Sequence, residues 1–221
     1  MTLPMMMWRV SATAWRHGVR YQSTAPANMF SLYPKNFPHG GPPHDPFVVN
    51  DRALRREYKL LQSVAHPDKQ ASATDDAQST EINKSYRILS NPYTRLCHLI
   101  QLHHPAHVDI SDDAVAKDLI AKYQNKSPEN SSRYKEMLMT VLDAHESLEL
   151  ADTEKDLEEL ETENDLRIGD SEDAIDAAIR RQWPPADWDE LMIAAIKLKY
   201  WVNIQNACKE WEPGKPVHLT H

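Results

Sequence analysis

Apolar residues recur every three or four positions along most of the chain after residue 45, the spacing that places them on one face of an α-helix. A first helix is predicted from Asp51, with Asn50 as its N-cap, to a point near His66, because Pro67 disfavours the α conformation in the residue before it. A second helix should end at Asn91-Pro92, and a third should cover 93–102. The apolar positions that predict these three helices are Leu54, Tyr58, Leu61, Ala65, Ile82, Tyr86, Leu89, Leu96, Leu99 and Ile100.

The first two of these helices can bury their apolar faces against each other as an antiparallel pair joined by a loop around 67–76. Residues 108–221 continue the helical pattern with longer elements, which predict an antiparallel three-helix bundle with a shorter extra helix over 112–124. The fold class expected is therefore all-α, a helical hairpin followed by a bundle. The signals that delimit the bundle helices are Ser127-Pro128, a charged stretch over 152–165, an interruption at Gly169-Asp170, Pro184-Pro185, Asp187 with Glu190, and an end near Trp211.

Two bundle helices carry more apolar surface than one buried stripe requires. In the first of them, Leu138 and Leu142 form a second stripe about 100° from the main one, and Met139 cannot face the same core as Met137. The last helix has one stripe through Leu198 and another through Tyr200. Excess apolar surface of this kind indicates either deeper burial or a partner-binding site.

The first 44 residues differ from the rest, with four Lys and Arg residues and no Asp or Glu. On a helical projection Trp8 and Trp15 lie on one stripe, and Arg9 and Arg16 lie on the neighbouring stripe. A basic amphipathic helix without acidic residues is typical of a mitochondrial presequence. Residues 1–26 are therefore predicted to direct the chain to the mitochondrial matrix; the alternative is an ordinary N-terminal tail.

Charge excludes several functional classes. The formal net charge of -8 comes from residues 108–221, which hold 26 Asp and Glu against 13 Lys and Arg, whereas 45–107 are close to neutral. Such an acidic chain is a poor nucleic-acid binder, and it has no apolar stretch long enough to span a membrane. Two cysteines do not support a disulfide-rich fold. Neither nucleic acid nor membrane is therefore expected as a partner.

The tetrapeptide His66-Pro67-Asp68-Lys69 follows the basic first helix and precedes Ile82-Asn83-Lys84-Ser85-Tyr86. In this setting the chain resembles the J domain of DnaJ-type co-chaperones over residues 28–103, and a J domain is assigned to 27–107. The resemblance implies that the chain binds the ATP-bound form of a DnaK-type mitochondrial heat-shock ATPase and accelerates its hydrolysis. The implied chaperone-binding residues are His66, Pro67, Asp68, Arg52, Arg55, Arg56 and Lys59. A solvated helix end and a solvated helix surface are the alternative interpretations.

A J domain followed by an acidic helical bundle, with Leu138-Met139-Thr140-Val141-Leu142-Asp143 and Lys197-Leu198-Lys199-Tyr200-Trp201, resembles the HscB family. This resemblance implies a co-chaperone of iron–sulfur cluster assembly whose bundle, residues 108–221, binds the iron–sulfur scaffold protein. The implied scaffold-binding residues are Leu138, Met139, Leu142, Asp143, Glu146 and Tyr200. Asp143 is shorter than the glutamate common in bacterial relatives. The chain lacks the N-terminal cysteine module of animal members, which indicates a fungal-like branch.

In this interpretation the remaining candidate residues have no catalytic or metal-binding role. His98, His103, His104 and His107 cluster without cysteine or carboxylate partners at zinc spacing, so no metal or cofactor is expected. Cys97 and Cys208 are expected to be small core residues. With no nucleophile–base pair or phosphate loop, the chain is not expected to be an enzyme. The rival interpretations are a general mitochondrial J protein for protein folding or import and an enzyme that uses the histidine cluster.

Overall fold

The structure, a computed structural model, describes residues 26–65 and 73–213. Within these ranges the chain is helical, with no strand. The predicted presequence therefore lies outside the described residues, except for Pro26. A short 3-10 helix, Met29–Leu32, precedes seven α-helices: α1 (Asp51–Ala65), α2 (Ala73–Ser90), α3 (Pro92–His103), α4 (Asp113–Lys126), α5 (Pro128–Glu149), α6 (Glu154–Arg181) and α7 (Trp188–Glu210).

Helices α1 and α2 form an antiparallel pair. Tyr58 of α1 stacks on Tyr86 of α2 with ring centroids 4.1 Å apart. One turn further along α1, the Gln62 side chain donates to the carbonyl oxygen of Ser79, which comes earlier in α2. The segment before α1 is fixed to this pair by a buried carboxylate, because Glu57 accepts bonds from the backbone N–H groups of Lys35 and Asn36. The helix α2 begins at Ala73, inside the stretch expected to be loop.

Asn91 caps helix α3, because its side chain accepts from the N–H groups of Tyr93 and Thr94. The helix joins the hairpin to the bundle through Arg95, which is 2% exposed. The Arg95 guanidinium donates to Leu89 O at 2.7 Å, forms an ion pair with Glu172 of α6, and lies 4.9 Å from the centre of the Phe47 ring. Burial raises the pKa of Glu172, and the charge of Arg95 opposes that rise.

Helix α7 is the central helix of the molecule, since α3, α4, α5 and α6 all pack against it. Its buried residues are spread around the helix, as expected for a helix that packs against several neighbours. They are Leu191, Met192, Ala195, Ile196, Leu198, Trp201, Val202, Ile204, Ala207 and Cys208. One hydrophobic core therefore extends from the N-terminal hairpin to the end of the bundle.

The all-α fold class is confirmed, and the Ser127 and Asp187 caps form as expected, each side chain accepting a backbone N–H of the first turn. The interruption expected at Gly169-Asp170 is wrong: α6 continues through both residues. A Cβ at Gly169 would meet nothing within 4 Å, so this glycine lies on an open face of the helix. The buried stripe on the other face, which includes Ile168 and Ile175, holds the helix together across it.

Candidate functional site

The predicted basic face of α1 is exposed. Asn50 caps the helix by accepting from Ala53 N–H at 3.0 Å, and Leu54 and Glu57 face inward. Residues at positions i, i+3, i+4 and i+7 share one helix face, and here they are Arg52, Arg55, Arg56 and Lys59, all exposed. Among the described residues none of these four forms an ion pair. The face is therefore open to an acidic partner.

The residues His66, Pro67 and Asp68 lie outside the described residues. They follow Ala65, the last residue of α1, directly in the sequence, and the chain resumes as helix at Ala73. Their proposed role therefore rests on the sequence alone.

A groove on the bundle brings together three of the six predicted scaffold-binding residues. It encloses about 580 Å³ and is lined by Leu138 and Leu142 of α5 and Tyr200 of α7. The Leu142 side chain is 58% exposed, whereas Leu138 and Tyr200 are half-buried. The hydroxyl of Tyr200 lies 3.4 Å from that of Tyr134, which orients the tyrosine ring beside α5. An exposed leucine at the mouth of a concave apolar surface is typical of a protein-binding site.

The other three predicted residues lie along the outer edge of α5. Met139 is 58% exposed, and Asp143 and Glu146 are also exposed. At spacings of three and four they form one stripe with Leu142 and continue the groove onto the surface. Neither carboxylate forms an ion pair within the described parts of the chain. The edge therefore presents apolar and negative groups side by side.

The sequence interpretation missed the residues that complete the groove. Asp113, Ala116, Lys117 and Ile120 of α4 line it. The available signal was the pair Ala116 and Ile120, which lie one turn apart, next to the Leu119 and Tyr123 stripe that anchors α4. The groove also reaches Tyr93 of α3 and Ile110, and the Tyr93 hydroxyl donates to Ile110 O at 3.5 Å.

The histidines near residue 100 are accounted for by packing. His98 accepts from Met29 N–H through Nε2 at 3.1 Å, and burial lowers its pKa to about 4. His103 lies edge-on to Trp183 of the loop before α7, and His104 lies edge-on to Trp188, the first residue of α7. His107 Nδ1 bonds to Gln101 O at 2.8 Å. Over 26–65 and 73–213, no three His, Cys, Asp or Glu side chains come together as a metal site.

Both cysteines are buried and free, as expected for small core residues. Burial raises the pKa of the Cys97 thiol to about 12 and that of Cys208 to about 11. Neither thiol is therefore an active nucleophile at neutral pH. In the part of the chain that the structure describes, no helix is both long and apolar enough to cross a membrane.

Comparison with known proteins finds relatives of this chain. Residues 133–209, which include most of α5, all of α6 and α7 as far as Lys209, match the family model of the HSCB C-terminal oligomerisation domain. The chain is 28% identical over 202 residues to the mitochondrial J-type co-chaperone JAC1 of Saccharomyces cerevisiae, covering 91% of this chain and 96% of the yeast protein. It is also 28% identical to the mitochondrial J-type co-chaperone jac1 of Schizosaccharomyces pombe, over 74% of this chain and 64% of that one.

A solved structure of the S. cerevisiae Jac1 co-chaperone superimposes with a TM-score of 0.59 and 28% identity. The match covers 87% of this chain and 98% of the Jac1 chain, so it includes both the hairpin and the bundle. The C-terminal part of the chain therefore carries the HSCB domain, and the chain as a whole is similar in sequence and in fold to the fungal Jac1 J-type co-chaperones.

Proposed function

We propose that this mitochondrial co-chaperone holds the iron–sulfur scaffold protein on its bundle and activates a DnaK-type heat-shock ATPase through its J domain, assigned to residues 27–107. The observation that carries the scaffold assignment is Leu142, a leucine 58% exposed at the mouth of a groove that Leu138 and Tyr200 also line. Burial of this leucine against a partner offsets the free-energy cost of exposing it to water in the unbound protein. We place the activity in the mitochondrial matrix, in keeping with the basic N-terminal segment.

The J domain's role is to recognise the ATPase. The exposed face with Arg52, Arg55, Arg56 and Lys59 steers an acidic partner surface onto α1. Asp68 then pairs with a cationic side chain of the partner, and His66 forms a hydrogen bond beside it. Pro67 limits the conformations of the turn that carries both. No bond of ATP is broken by a residue of this chain, because the ATPase itself binds the nucleotide.

The two surfaces act together by proximity. The scaffold protein, held on α5 and α7, is presented to the ATPase at high effective concentration while the J domain triggers hydrolysis. The capture of the client by the ATPase then follows hydrolysis, and cluster release and transfer are promoted. Because one core joins the hairpin to the bundle, the α1 face and the groove belong to one folded unit.

The scaffold-binding assignment is tested by changing Leu142 to Ala. Burying a leucine side chain contributes about 1.5–3 kcal/mol, so the variant should bind the iron–sulfur scaffold protein roughly 10- to 100-fold more weakly, as measured by calorimetry. Leu166→Ala is the matched control, because Leu166 is 63% exposed on α6, outside the groove. Unchanged binding by a Leu138, Leu142 and Tyr200 triple alanine variant would show that the patch is wrong. If the mature chain binds no scaffold protein, that result favours the alternative function, a general J protein for folding or import.

The J-domain assignment is tested by Asp68→Ala. This variant should keep scaffold binding and lose stimulation of the ATPase, measured as steady-state phosphate release. Replacing Arg52, Arg55, Arg56 and Lys59 together by Gln should weaken the stimulation and flatten its dependence on salt. Lys155→Gln, an exposed cation of the bundle, serves as the control. Full stimulation by Asp68→Ala would contradict the assignment of the tetrapeptide.

A further inference from the structure

The groove has a second apolar wall that belongs to α4. Leu119 and Tyr123 of α4 are buried and hold the helix against the bundle. On the adjacent face, Ala116 and Ile120 are only half-buried, and both line the groove opposite the α5 leucines that it also contains. Helix α4 therefore uses one part of its surface for packing and leaves another part uncovered.

This wall is fixed in position at both ends of α4. Near the start of the helix, Lys199 of α7 forms an ion pair with Asp113 at 3.3 Å. Near its end, Lys126 pairs with Asp187, the N-cap of α7. The Asp112 side chain caps α4 by accepting from Ala114 and Val115 N–H. A wall held in this way is already arranged for binding, so little ordering cost is added when a partner docks.

The chemistry of the groove identifies the part of the partner that fits it. Its floor is apolar, since Val141, Ile196 and Ile110 are all at most 5% exposed. A volume of about 580 Å³ admits several side chains rather than one. The exposed carboxylates of Asp143 and Glu146 lie along the α5 edge and favour positive charge beside the groove.

We propose that the scaffold protein inserts an apolar segment, flanked by basic residues, between α4 and α5, with Ala116 and Ile120 as the second wall of its binding site. This inference rests on the proposed function and extends it, because α4 then contributes directly to client affinity. The Lys199–Asp113 pair at the rim limits how far the segment extends toward α7.

The test enlarges or shortens the two α4 side chains that line the groove. Ala116→Phe should place a ring in the groove and weaken scaffold binding more than 10-fold, and Ile120→Ala should weaken it about 5- to 20-fold. Ala121→Phe is the matched control: it introduces the same ring on the exposed face of α4, outside the groove, and should bind within twofold of the unchanged protein. Circular dichroism and thermal unfolding check that each variant is folded.

A second measurement does not depend on substitution. The Ile120 δ-methyl NMR signal of the intact chain should shift when the scaffold protein is added, whereas the methyl signals of Leu166 should not. If the Ile120 signal is unmoved and Ile120→Ala binds normally while Leu142→Ala binds weakly, the α4 wall is wrong and the proposed function stands. If Leu142→Ala and the triple alanine variant also bind normally, the proposed function itself is wrong.

Discussion

At the scale of single residues, His98 shows how a buried titratable group acts in this fold without any catalytic role. Its Nε2 accepts from Met29 N–H, so the ring must be neutral and carry its proton on Nδ1. Burial is the main cause of its lowered pKa, and the charges of His103 and Lys84 add to it. The histidine thereby ties the 3-10 helix to α3 only while it is unprotonated.

This linkage predicts a loss of stability in acid. The folded-state pKa of about 4 lies below the ordinary value of 6.5, so between these two pH values the unfolded chain binds more protons than the folded one. The contribution of His98 is therefore complete above pH 6.5 and should fall by about 3 kcal/mol as the pH drops to 4. Urea unfolding at pH 7 and pH 4.5 measures it.

His98→Gln is the informative variant for that experiment, because glutamine keeps an acceptor but does not titrate. Its free energy of unfolding should depend less on pH than that of the unchanged protein. Equal pH profiles for the unchanged chain and His98→Gln would refute the role given to this histidine.

At the scale of secondary structure, the two helices with excess apolar surface resolve in opposite ways. On α7 burial explains most of the second stripe, since Ile196 and Ile204 are at most 4% exposed, whereas Tyr200 on the same stripe is half-buried and lines the groove. On α5 the extra residues Met139 and Leu142 stay exposed. The spacing of apolar residues predicts the second stripe on α5 and the one on α7 equally well. Which of the two is covered depends on the packing of α3 and α4 against α7.

Helix α6 shows the limit of single-residue breaking signals. Gly169 lowers the helix propensity locally, yet the stripe from Leu157 to Ile179 is buried throughout, and that burial outweighs about 1 kcal/mol of propensity. The helix ends that were predicted well, at Ser127 and Asp187, depend on short-range cap bonds that the sequence does encode. The α4 wall could not be predicted from the sequence, because it depends on which helices pack against each other in the fold.

Gly169→Ala should accordingly stabilise the protein by about 0.5–1 kcal/mol in urea unfolding, since the position is helical and its Cβ would be unobstructed. Gly41→Ala should do the reverse. Gly41 has φ +103°, and an added Cβ would lie 2.5 Å from Phe30 Cγ. A destabilising Gly169→Ala would mean that α6 is interrupted at this point after all.

At the scale of the whole molecule, Arg95 and Glu172 join the hairpin to the bundle across a largely apolar boundary. The Phe47 N–H donates to Asp176 at 2.7 Å close by, so two backbone regions distant in sequence meet there. Removing one partner of a buried pair leaves an uncompensated charge, whereas replacing both with apolar groups is often tolerated.

Arg95→Met is therefore expected to lower the free energy of unfolding by about 3–5 kcal/mol. The double variant with Glu172→Leu should recover much of that loss, because no buried charge is left unpaired. Lys122→Met, which breaks an ion pair with Asp118 that is exposed on both sides, should leave stability nearly unchanged. A double variant no more stable than Arg95→Met would contradict the pairing argument.

The central position of α7 has a consequence for how the protein is made. During synthesis α3 leaves the ribosome well before α7, because about a hundred residues separate these two packing partners. Until Glu210 has emerged, the nascent chain holds Leu96, Leu99 and Ile100 without the complete core that buries them. A chain that stalls before α7 is thus expected to expose apolar surface in its N-terminal half, so synthesis of this protein is expected to need protection by chaperones.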